Sequence, residues 1–298
     1  MRWFVNVSKW IPTQEEWLRA VRSVQSEELS RINQFVFRSD AMLSLVGRLL
    51  MRCCVHKCLK PSIEFQDIRF GRTTSGKPFV VSPVLDGNDD NNRPHFDLNV
   101  SHSGNYCVLA SVDGSQRVGV DVMKIEYSGQ RSGRPIDDFF RIMNRQFSGS
   151  EWQFINSCLS DDRQRLSRFI RLWTLKEAFV KADGQGIAFN LKRISFDCRT
   201  PELSSDSVTV DTVVRVDDQL LDNWIFEESL LDSDHCVCVA YDNFKTTSNT
   251  LKTNYQLFEE KSITNLLEEA VPLNNDDNDN NDISLWLDFE KKLIKKQL

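Results

Sequence analysis

Regularly spaced charged side chains mark one helical segment as a candidate wall of a site. The segment reads RLWTLKEAFVKADGQGI, residues 171–187, and places Trp173, Glu177 and Lys181 at intervals of four. This spacing puts all three on one stripe of a helix. Because a large aromatic side chain usually points at the core, Glu177 and Lys181 are expected at the rim of something buried. Taken alone, the stripe is more typical of a solvated helix edge.

A second candidate carboxylate lies in RVGVDVMK, where three valines alternate with Gly119, Asp121 and Met123. The alternation predicts a strand with Asp121 on the face opposite the valines. Aspartate is disfavoured in such a strongly β-forming stretch, so its presence calls for a reason. A carboxylate there is a metal ligand or the partner of an arginine, and the spacing does not separate these alternatives.

Two polar stretches carry groups that suit phosphate oxygens. GRTTSGKPFV offers Arg72 and Lys77 around a Thr-Thr-Ser-Gly loop, although a polar hairpin connection is the commoner structure for such a segment. FDLNVSHSGNY places Asn99, Ser101 and His102 where an apolar strand breaks into a turn, and such side chains more often satisfy the turn itself. The glycine spacing in the first stretch does not fit a P-loop.

The combination of these pieces favours a metal–diphosphate site over unrelated polar surfaces. A divalent cation would be held by Asp121 and Glu177, with diphosphate oxygens completing its shell. Cations nearby would neutralise the charge that develops on a diphosphate leaving group. The candidates for that role are Arg72, Lys77, Lys176 and Lys181.

The elements that must position these residues form two similar series of strands and helices. A strand at WFVNV, a capped helix at TQEEWLRAVRSV and a long helix from about 39 to 60 precede five short strands. Helices near GSEWQFINSC and across 161–182 then precede strands that end at HCVCVAY. IRFGRT from residue 68 resembles ISFDCRT from 194, and YCVLAS from 106 resembles HCVCVA from 235, so the two echoes have nearly the same offset.

The repeated series predicts an α+β fold, a pseudo-dimer of two similar α/β halves with the active site in the cleft between them. The predicted halves are 1–124 and 125–245, and an acidic, Asn/Asp-rich, partly disordered tail follows at 246–298. The stretch ISLWLDFEKKLIKKQL could form an amphipathic helix that docks back or binds a partner. A solubilising tail is the more common role of such a segment.

Composition narrows the class of protein. The chain has 298 residues and a net charge of −6, which disfavours a general nucleic-acid binder. No apolar run could span a bilayer and the N-terminal segment lacks the pattern of a secretion signal, so a cytosolic protein with no membrane partner is expected. The eight cysteines, including those of CCVHKC, are therefore expected to be reduced core thiols.

In this order, RTTSGKP, NVSHSG, VGVDVMK and WTLKEAFVKADGQGI resemble the motifs of the 4'-phosphopantetheinyl transferases. The pairing of G-V-D with W-x-x-K-E-x-x-x-K some fifty residues later is specific to that family. The resemblance covers roughly residues 1–245 and includes an upstream segment, SEELSRINQFVFRSDAMLSLVGRLLMR, similar to the family's N-terminal helices. It is greatest to animal members of the larger, surfactin-synthetase-activating class.

The resemblance implies a Mg²⁺-dependent enzyme that moves the phosphopantetheine arm of coenzyme A onto a serine of an apo acyl or peptidyl carrier protein, releasing adenosine 3',5'-bisphosphate. Members of the larger class are pseudo-dimers with coenzyme A between their halves. Carrier domains of the fatty acid synthase and aminoadipate-semialdehyde-dehydrogenase types would be the partners. A monomer is expected, because fused halves remove the need for a homodimer.

The resemblance also implies roles for individual residues. Asp121 and Glu177 would be the metal ligands, and Glu177 would also take the serine proton. Lys181 would contact the diphosphate and could protonate the leaving group, while His102 would lie near the 3'-phosphate. The residues implied to contact coenzyme A are Arg31, Arg72, Thr73, Thr74, Ser75, Gly76, Lys77, Asn99, Val100, Ser101, His102, Asp121, Lys176 and Lys181.

Two positions depart from the pattern of many relatives. Met123 stands where they have a second acidic residue, and a thioether does not suit Mg²⁺. Ser103 stands where some animal relatives have a glutamine that helps to hold the metal. Two other functions therefore stay open, a metal-dependent diphosphate hydrolase that uses water, and a non-catalytic module that binds coenzyme A or a carrier protein. The presence of Asp121, Glu177 and Lys181 argues against the module.

Overall fold

The computed structural model describes residues 1–59, 63–83, 96–114, 116–184, 190–242, 255–273 and 279–294. The strands are β1 (Arg2–Asn6), β2 (Arg69–Arg72), β3 (Pro78–Ser82), β4 (Phe96–Ser103), β5 (Tyr106–Asp113), β6 (Val118–Lys124), β7 (Ile194–Asp197), β8 (Val213–Val216), β9 (Gln219–Leu220), β10 (Trp224–Asp232), β11 (His235–Asp242) and β12 (Glu259–Glu260). The α-helices are α1 (Gln14–Arg22), α2 (Ser26–Asn33), α3 (Arg38–Leu59), α4 (Ile136–Met143), α5 (Gly149–Asn156), α6 (Asp162–Asp183), α7 (Ile263–Glu269) and α8 (Asp279–Glu290).

The first sheet has the strand order β12-β1-β5-β4, and α3 packs against β4 and β5. Thr13 accepts a hydrogen bond from the Glu16 amide and Glu16 caps in return, so the capping box predicted for α1 is confirmed. Helix α3 buries apolar side chains on most of its circumference, together with Cys53, Cys54 and His56. The CCVHKC segment therefore belongs largely to the core.

The second sheet has the order β10-β11-β6, and α6 packs against β6 and β11. Each sheet thus has a hairpin, β4–β5 or β10–β11, and one 22-residue helix. The division predicted after residue 124 assigns β6 to the first half, whereas its ladder partner β11 belongs to the second. The remaining strands form the hairpin β2–β3 and a small sheet β7-β8-β9.

The two sheets meet where β4 and β6 run side by side in the same direction. Three side chains of β4 accept hydrogen bonds from backbone amides of β6. Asp97 accepts from the Val118 amide at 2.8 Å and Asn99 accepts from the Val120 amide at 3.0 Å. Further along, the Ser103 hydroxyl accepts from the last amide of β6 at 3.1 Å. This row of polar side chains fixes the register between the sheets, and with it the position of Asp121 next to β4.

Gly119 lets α6 approach β6 closely enough to bring their charged residues together. A Cβ atom at this position would lie 2.2 Å from the Ala178 carbonyl oxygen and 2.4 Å from the Ala182 amide nitrogen. Both are backbone atoms of a buried helix, so the clash can be relieved only by moving α6. The glycine of the G-V-D motif is therefore required by helix packing.

We expect Gly119→Ala to lower the free energy of unfolding by about 3 kcal/mol, because it overpacks the contact between α6 and β6. Chemical denaturation monitored by circular dichroism would measure this loss. Gly149→Ala is the matched control, since a Cβ atom there has no neighbour within 4 Å. Equal stability of the two variants would contradict this account of Gly119.

The tail predicted at 246–298 contains regular elements, and for the described part of ISLWLDFEKKLIKKQL the role of a solubilising tail needs correction. Strand β12 pairs in parallel with β1, and α7 buries Ile263, Leu266 and Leu267. Helix α8 packs against α1 through Phe289, which is 3% exposed. These apolar side chains supply the burial that orders the segments. The stretch 274–278 of the predicted linker lies outside the described residues.

Within the described residues, no helix combines the length and apolar character needed to cross a bilayer.

Candidate active site

Helix α6 presents Trp173, Glu177 and Lys181 on its least buried stripe, as the spacing predicted. All three are half-buried, whereas the flanking positions from 174 to 182 are buried. The Trp173 ring stacks on Phe169 with 6.4 Å between centroids, so the aromatic end of the stripe leans on the core. The helix ends at Gly184, which adopts a left-handed conformation (φ 82°), while Gly186 lies outside the described residues.

Lys181 reaches across to the Asp121 carboxylate of β6. Its Nζ lies 2.7 Å from Asp121 Oδ1, and it also donates to the Ser101 hydroxyl at 2.9 Å. Ser101 in turn donates to the same Oδ1 atom at 2.8 Å. Asp121 is 4% exposed, and its other oxygen, Oδ2, is buried without a hydrogen-bond partner in the described part of the chain. Strands β4 and β6 and helix α6 therefore each contribute one side chain to a single cluster, namely Ser101, Asp121 and Lys181.

Glu177 is the second carboxylate of this cluster. Partial burial, followed by the negative charge of Asp121, raises the pKa of Glu177, while Lys181 opposes the rise. The carboxylate accepts no hydrogen bond from the described residues, so its lone pairs are available to a ligand. A carboxyl group with a raised pKa is a better proton acceptor than an ordinary glutamate.

Two open carboxylate positions fit the ligand preference of a hard divalent cation. The unpartnered Asp121 Oδ2 and the Glu177 carboxylate are both oxygen donors, as Mg²⁺ requires. Within the described ranges, no group of three or more His, Cys, Asp or Glu is arranged to hold a metal ion. A cation at this place would therefore need further oxygen ligands from its substrate and from water.

A basic wall, made of Arg31, Arg48, Arg72 and His102, lies on the first-sheet side of the cluster. His102 follows Ser101 on β4, so its side chain points to the opposite face, toward α3. Surrounding protein, and then the positive charges of Lys181 and Arg48, lower the pKa of His102. The carboxylates of Asp40 and Asp121 oppose this lowering of the pKa without cancelling it.

Glu28 of α2 ties two arginines of the basic wall together. Arg72 forms a forked pair with Glu28, at 3.0 and 2.9 Å from one guanidinium nitrogen to the two carboxylate oxygens. Arg48 donates to the same carboxylate at 2.7 Å. Both guanidinium groups carry more donors than this pairing uses. Arg31 follows Glu28 by three residues, so it shares that side of α2, where it is exposed.

The loop from Thr73 to Lys77 is the hairpin turn between β2 and β3, as the commoner interpretation of its sequence predicted. The Thr73 and Gly76 amides donate to carbonyls within the turn, and the Thr73 and Ser75 hydroxyls bond to each other at 2.8 Å. Thr74 lies at the exposed tip. Lys77 leaves the turn to pair with Asp97 at 2.5 Å. The turn thus presents hydroxyls beside Arg72, while its lysine braces β4.

Asn99 and Val100 are structural parts of β4. The Asn99 side chain is 4% exposed and its oxygen is occupied by the β6 backbone. Val100 faces α3 and would contact a Cβ atom added at Gly47. Of the NVSH stretch, only Ser101 and His102 therefore present side chains to the cluster or the basic wall.

The assignment of Lys176 to the diphosphate needs correction. Its side chain is fully buried, 3.0 Å from the equally buried Glu151, and its Nζ also donates to the Leu191 and Ile194 carbonyls at 2.9 and 2.6 Å. A step of one residue turns the helix by about 100°, so Lys176 points into the core of the second half while Glu177 faces the junction.

Comparison with known proteins agrees with these motifs. Residues 8–114 match the profile described as 4'-phosphopantetheinyl transferase, N-terminal, and residues 117–240 match that of the 4'-phosphopantetheinyl transferase superfamily. An L-aminoadipate-semialdehyde dehydrogenase-phosphopantetheinyl transferase from Xenopus laevis is 38% identical over 299 aligned positions, which cover 98% of this chain and 92% of the relative. The chain belongs to the 4'-phosphopantetheinyl transferase family.

Other relatives share most of the chain. The L-aminoadipate-semialdehyde dehydrogenase-phosphopantetheinyl transferase of Homo sapiens is 41% identical over 240 residues, covering 80% of this chain and 74% of its own. A phosphopantetheinyl transferase from Thraustochytrium is 34% identical over 244 residues, 81% of this chain and 78% of its own. The predicted resemblance to animal members of this phosphopantetheinyl transferase family is confirmed.

Sequence reasoning missed three residues that organise the site of this phosphopantetheinyl transferase. Arg48 belongs to the basic wall, Glu28 pairs with two of its arginines, and Asp97 binds both Lys77 and the start of β6. Each lies on an element recognised from the sequence. Their pairing links positions 20 to 44 residues apart, which no local spacing reveals.

A cavity of about 750 Å³ lies at the C-terminal end of β6, where Met123 is two residues beyond Asp121. Ser103 and Met123, the two positions that depart from the pattern of relatives, line its wall, together with Lys124, Tyr127 and Arg163. The cavity shares no lining residue with the basic wall.

Proposed function

We propose that this chain transfers the 4'-phosphopantetheine group from coenzyme A to a serine of an apo carrier protein, releasing adenosine 3',5'-bisphosphate. The observation that carries the proposal is the cluster of Asp121, Glu177 and Lys181 at the junction of the two sheets. Family membership supports the reaction class. We also propose that the protein is a cytosolic monomer. Its two halves would form a pseudo-dimer with the substrate in the cleft between them.

The transfer breaks one phosphorus–oxygen bond and forms another. The serine oxygen attacks the phosphorus that carries the pantetheine arm, and the bond from this phosphorus to the bridging oxygen breaks. Glu177, with its raised pKa, takes the serine proton directly or through water. The bridging oxygen leaves on adenosine 3',5'-bisphosphate, and Lys181 neutralises the charge that collects there.

Magnesium, when bound, supplies positive charge that neutralises and orients the diphosphate. Asp121 Oδ2 and the Glu177 carboxylate would hold it, because neither accepts a hydrogen bond from the described part of the chain. Met123 adds no oxygen to this set. In this proposal, diphosphate and water oxygens complete the shell.

The basic wall and the cavity suggest how coenzyme A lies. The 3'-phosphate would bind beside His102, Arg48 and Arg72. The guanidinium groups of the two arginines retain donors that their pairing with Glu28 does not use. The diphosphate would then cross Lys181, and the reacting phosphorus would face the cavity beside Ser103 and Met123. That cavity has room for the incoming serine loop of a carrier protein. We propose carrier domains of the fatty acid synthase and aminoadipate-semialdehyde-dehydrogenase types as acceptors.

The decisive experiment incubates the purified chain with coenzyme A, Mg²⁺ and an apo acyl carrier protein. Mass spectrometry should show a phosphopantetheine adduct on the carrier serine, with one adenosine 3',5'-bisphosphate released for each adduct. Release without a carrier protein would indicate a diphosphate hydrolase. Binding of coenzyme A without turnover would indicate a non-catalytic module, and either result would contradict the proposed transfer. A carrier protein with serine replaced by alanine is the control.

A further inference from the structure

The segment from 279 to 294, here called the C-terminal strap, folds back across the first half. It lies outside both matched family ranges, 8–114 and 117–240. The Phe289 ring stacks on Trp17 of α1 with 3.9 Å between centroids, and the Asp282 carboxylate pairs with Arg22. The Arg38 guanidinium group also lies over the Phe289 ring, 5.5 Å from the ring centroid. These contacts anchor the strap beside the connection between α2 and α3.

Lys292 of the strap caps the C-terminal end of α2. Its ammonium group donates to the Asn33 carbonyl at 2.8 Å and to the Phe35 carbonyl at 2.7 Å. The last carbonyls of a helix lack partners within the helix, and the helix dipole favours a positive charge at that end. The capping cation is thus supplied from a position more than 250 residues away in the chain.

The next residue of the strap pairs with the start of α3. The Leu293 amide donates to the Val36 carbonyl at 2.9 Å, and the Arg38 amide donates to the Leu293 carbonyl at 2.9 Å. The Arg38 side chain also donates to the Lys292 carbonyl at 3.2 Å. A free amide at the beginning of α3 is therefore satisfied by the strap. One short segment completes the facing ends of two helices.

These two helices carry two of the four residues of the basic wall, Arg31 and Arg48. Arg31 lies in the last turn of α2, two residues before the Asn33 carbonyl that Lys292 caps, and Glu28 on the same helix holds Arg48 and Arg72. Arg48 itself belongs to α3. Any change in the angle between α2 and α3 would move these guanidinium groups relative to His102 on β4.

We propose that the C-terminal strap positions the basic wall for the 3'-phosphate end of the substrate, with Lys292 as its positioning residue. The inference rests on the proposed function for the identity of that substrate. The expected ligand chemistry is a ribose 3'-phosphate. The strap contacts no reacting atom, so its influence should appear in substrate binding and not in the chemical step.

The test compares Lys292→Met with Lys291→Met, its matched control. Lys291 is 73% exposed in its side chain and has one distant partner, Asp288 at 3.8 Å. Lys292→Met should raise KM for coenzyme A about fivefold, as expected when only part of the free energy of its two lost hydrogen bonds reaches the basic wall, with kcat within about twofold of the parent chain. KM for 3'-dephospho-coenzyme A should change much less. Lys292→Arg should restore the parent value, since a guanidinium can donate to both carbonyls.

A binding measurement keeps the test independent of catalysis. Calorimetric titration with adenosine 3',5'-bisphosphate should show about fivefold weaker binding to the Lys292→Met variant than to the parent chain. Titration with adenosine 5'-monophosphate should show almost no difference between the two proteins. Unchanged binding, or equal weakening for both nucleotides, would overturn the role of the strap even in an active enzyme. If the parent chain catalyses no transfer, the same titration still decides the inference while the proposed function fails.

Discussion

Glu177→Gln is expected to lower phosphopantetheine transfer by at least about a hundredfold, since it removes both a proton acceptor and one carboxylate of the cluster. Glutamine has nearly the same shape, and Glu177 accepts no hydrogen bond from the described residues, so the fold should be retained. The rate of adduct formation on an apo carrier protein, followed by mass spectrometry at saturating coenzyme A and Mg²⁺, measures this loss.

The raised pKa of Glu177 also gives a prediction for stability and pH. A carboxyl group whose pKa is higher in the folded protein than in the unfolded chain costs stability once it is ionised, so the cost appears as the pH rises through the two pKa values. Glu177→Gln should therefore be more stable than the parent chain at pH 7, and this gain should vanish below the ordinary pKa of glutamate. In the parent chain, kcat/KM should fall at low pH with an apparent pKa above the ordinary pKa of glutamate.

Glu126→Gln provides the matched control for this experiment. Glu126 lines the cavity at the end of β6, is exposed and pairs with Lys124 at 2.7 Å. Its replacement should leave transfer within about twofold, as expected for a surface ion pair. Full activity in Glu177→Gln, or an equal loss in both variants, would remove Glu177 from the chemistry.

The sequence was most informative where a local pattern determines a local structure. The capping box at Thr13, the alternation that sets Asp121 opposite the valines, and the four-residue spacing of Glu177 and Lys181 all predicted features that the structure contains. Each depends on neighbours within one turn or one strand. Bringing Asp121 and Lys181 together required a further step, the combination of several weak motifs with the family resemblance.

Long-range pairing limited the prediction elsewhere. Helix α4 and helix α7 were not predicted, and the stretch VTVDTVVRV gives a regular strand only at Val213–Val216. The strap was expected to be a tail, because its short apolar pattern is ordered by distant partners such as Trp17. In the same way, the forked pairing of Glu28 with Arg72 spans 44 residues and has no local sequence signature.

Lys176 shows how adjacency in sequence can mislead. The motif W-x-x-K-E-x-x-x-K makes both lysines plausible phosphate ligands, but only Lys181 shares the exposed stripe with Glu177. Burial lowers the pKa of Lys176, while the neighbouring Glu151 raises it. Glu151 also accepts from the Ser148 and Phe196 amides at 2.7 and 3.2 Å, so the pair joins α5, α6 and β7.

Lys176→Met is therefore expected to lower the free energy of unfolding by about 3–5 kcal/mol, because it leaves the buried Glu151 carboxylate without its counter-charge. Two carbonyl groups would lose their donor as well. Chemical denaturation measures the loss. Without denaturant, where the variant is still folded, its KM for coenzyme A should be close to the parent value. Lys192→Met is the control, since Lys192 is exposed and directly follows Leu191, whose carbonyl Lys176 binds.

A double variant separates the charge from the packing. In Lys176→Met combined with Glu151→Gln, the uncompensated charge is gone, and the glutamine oxygen can still accept from one of the two amides. The double variant should therefore have a free energy of unfolding at least about 1 kcal/mol higher than that of Lys176→Met alone. If Lys176→Met instead leaves stability unchanged and raises KM for coenzyme A, the lysine contacts the substrate after all, and α6 must be rotated from the orientation described. A buried ion pair and a diphosphate ligand thus predict opposite results in the same two measurements.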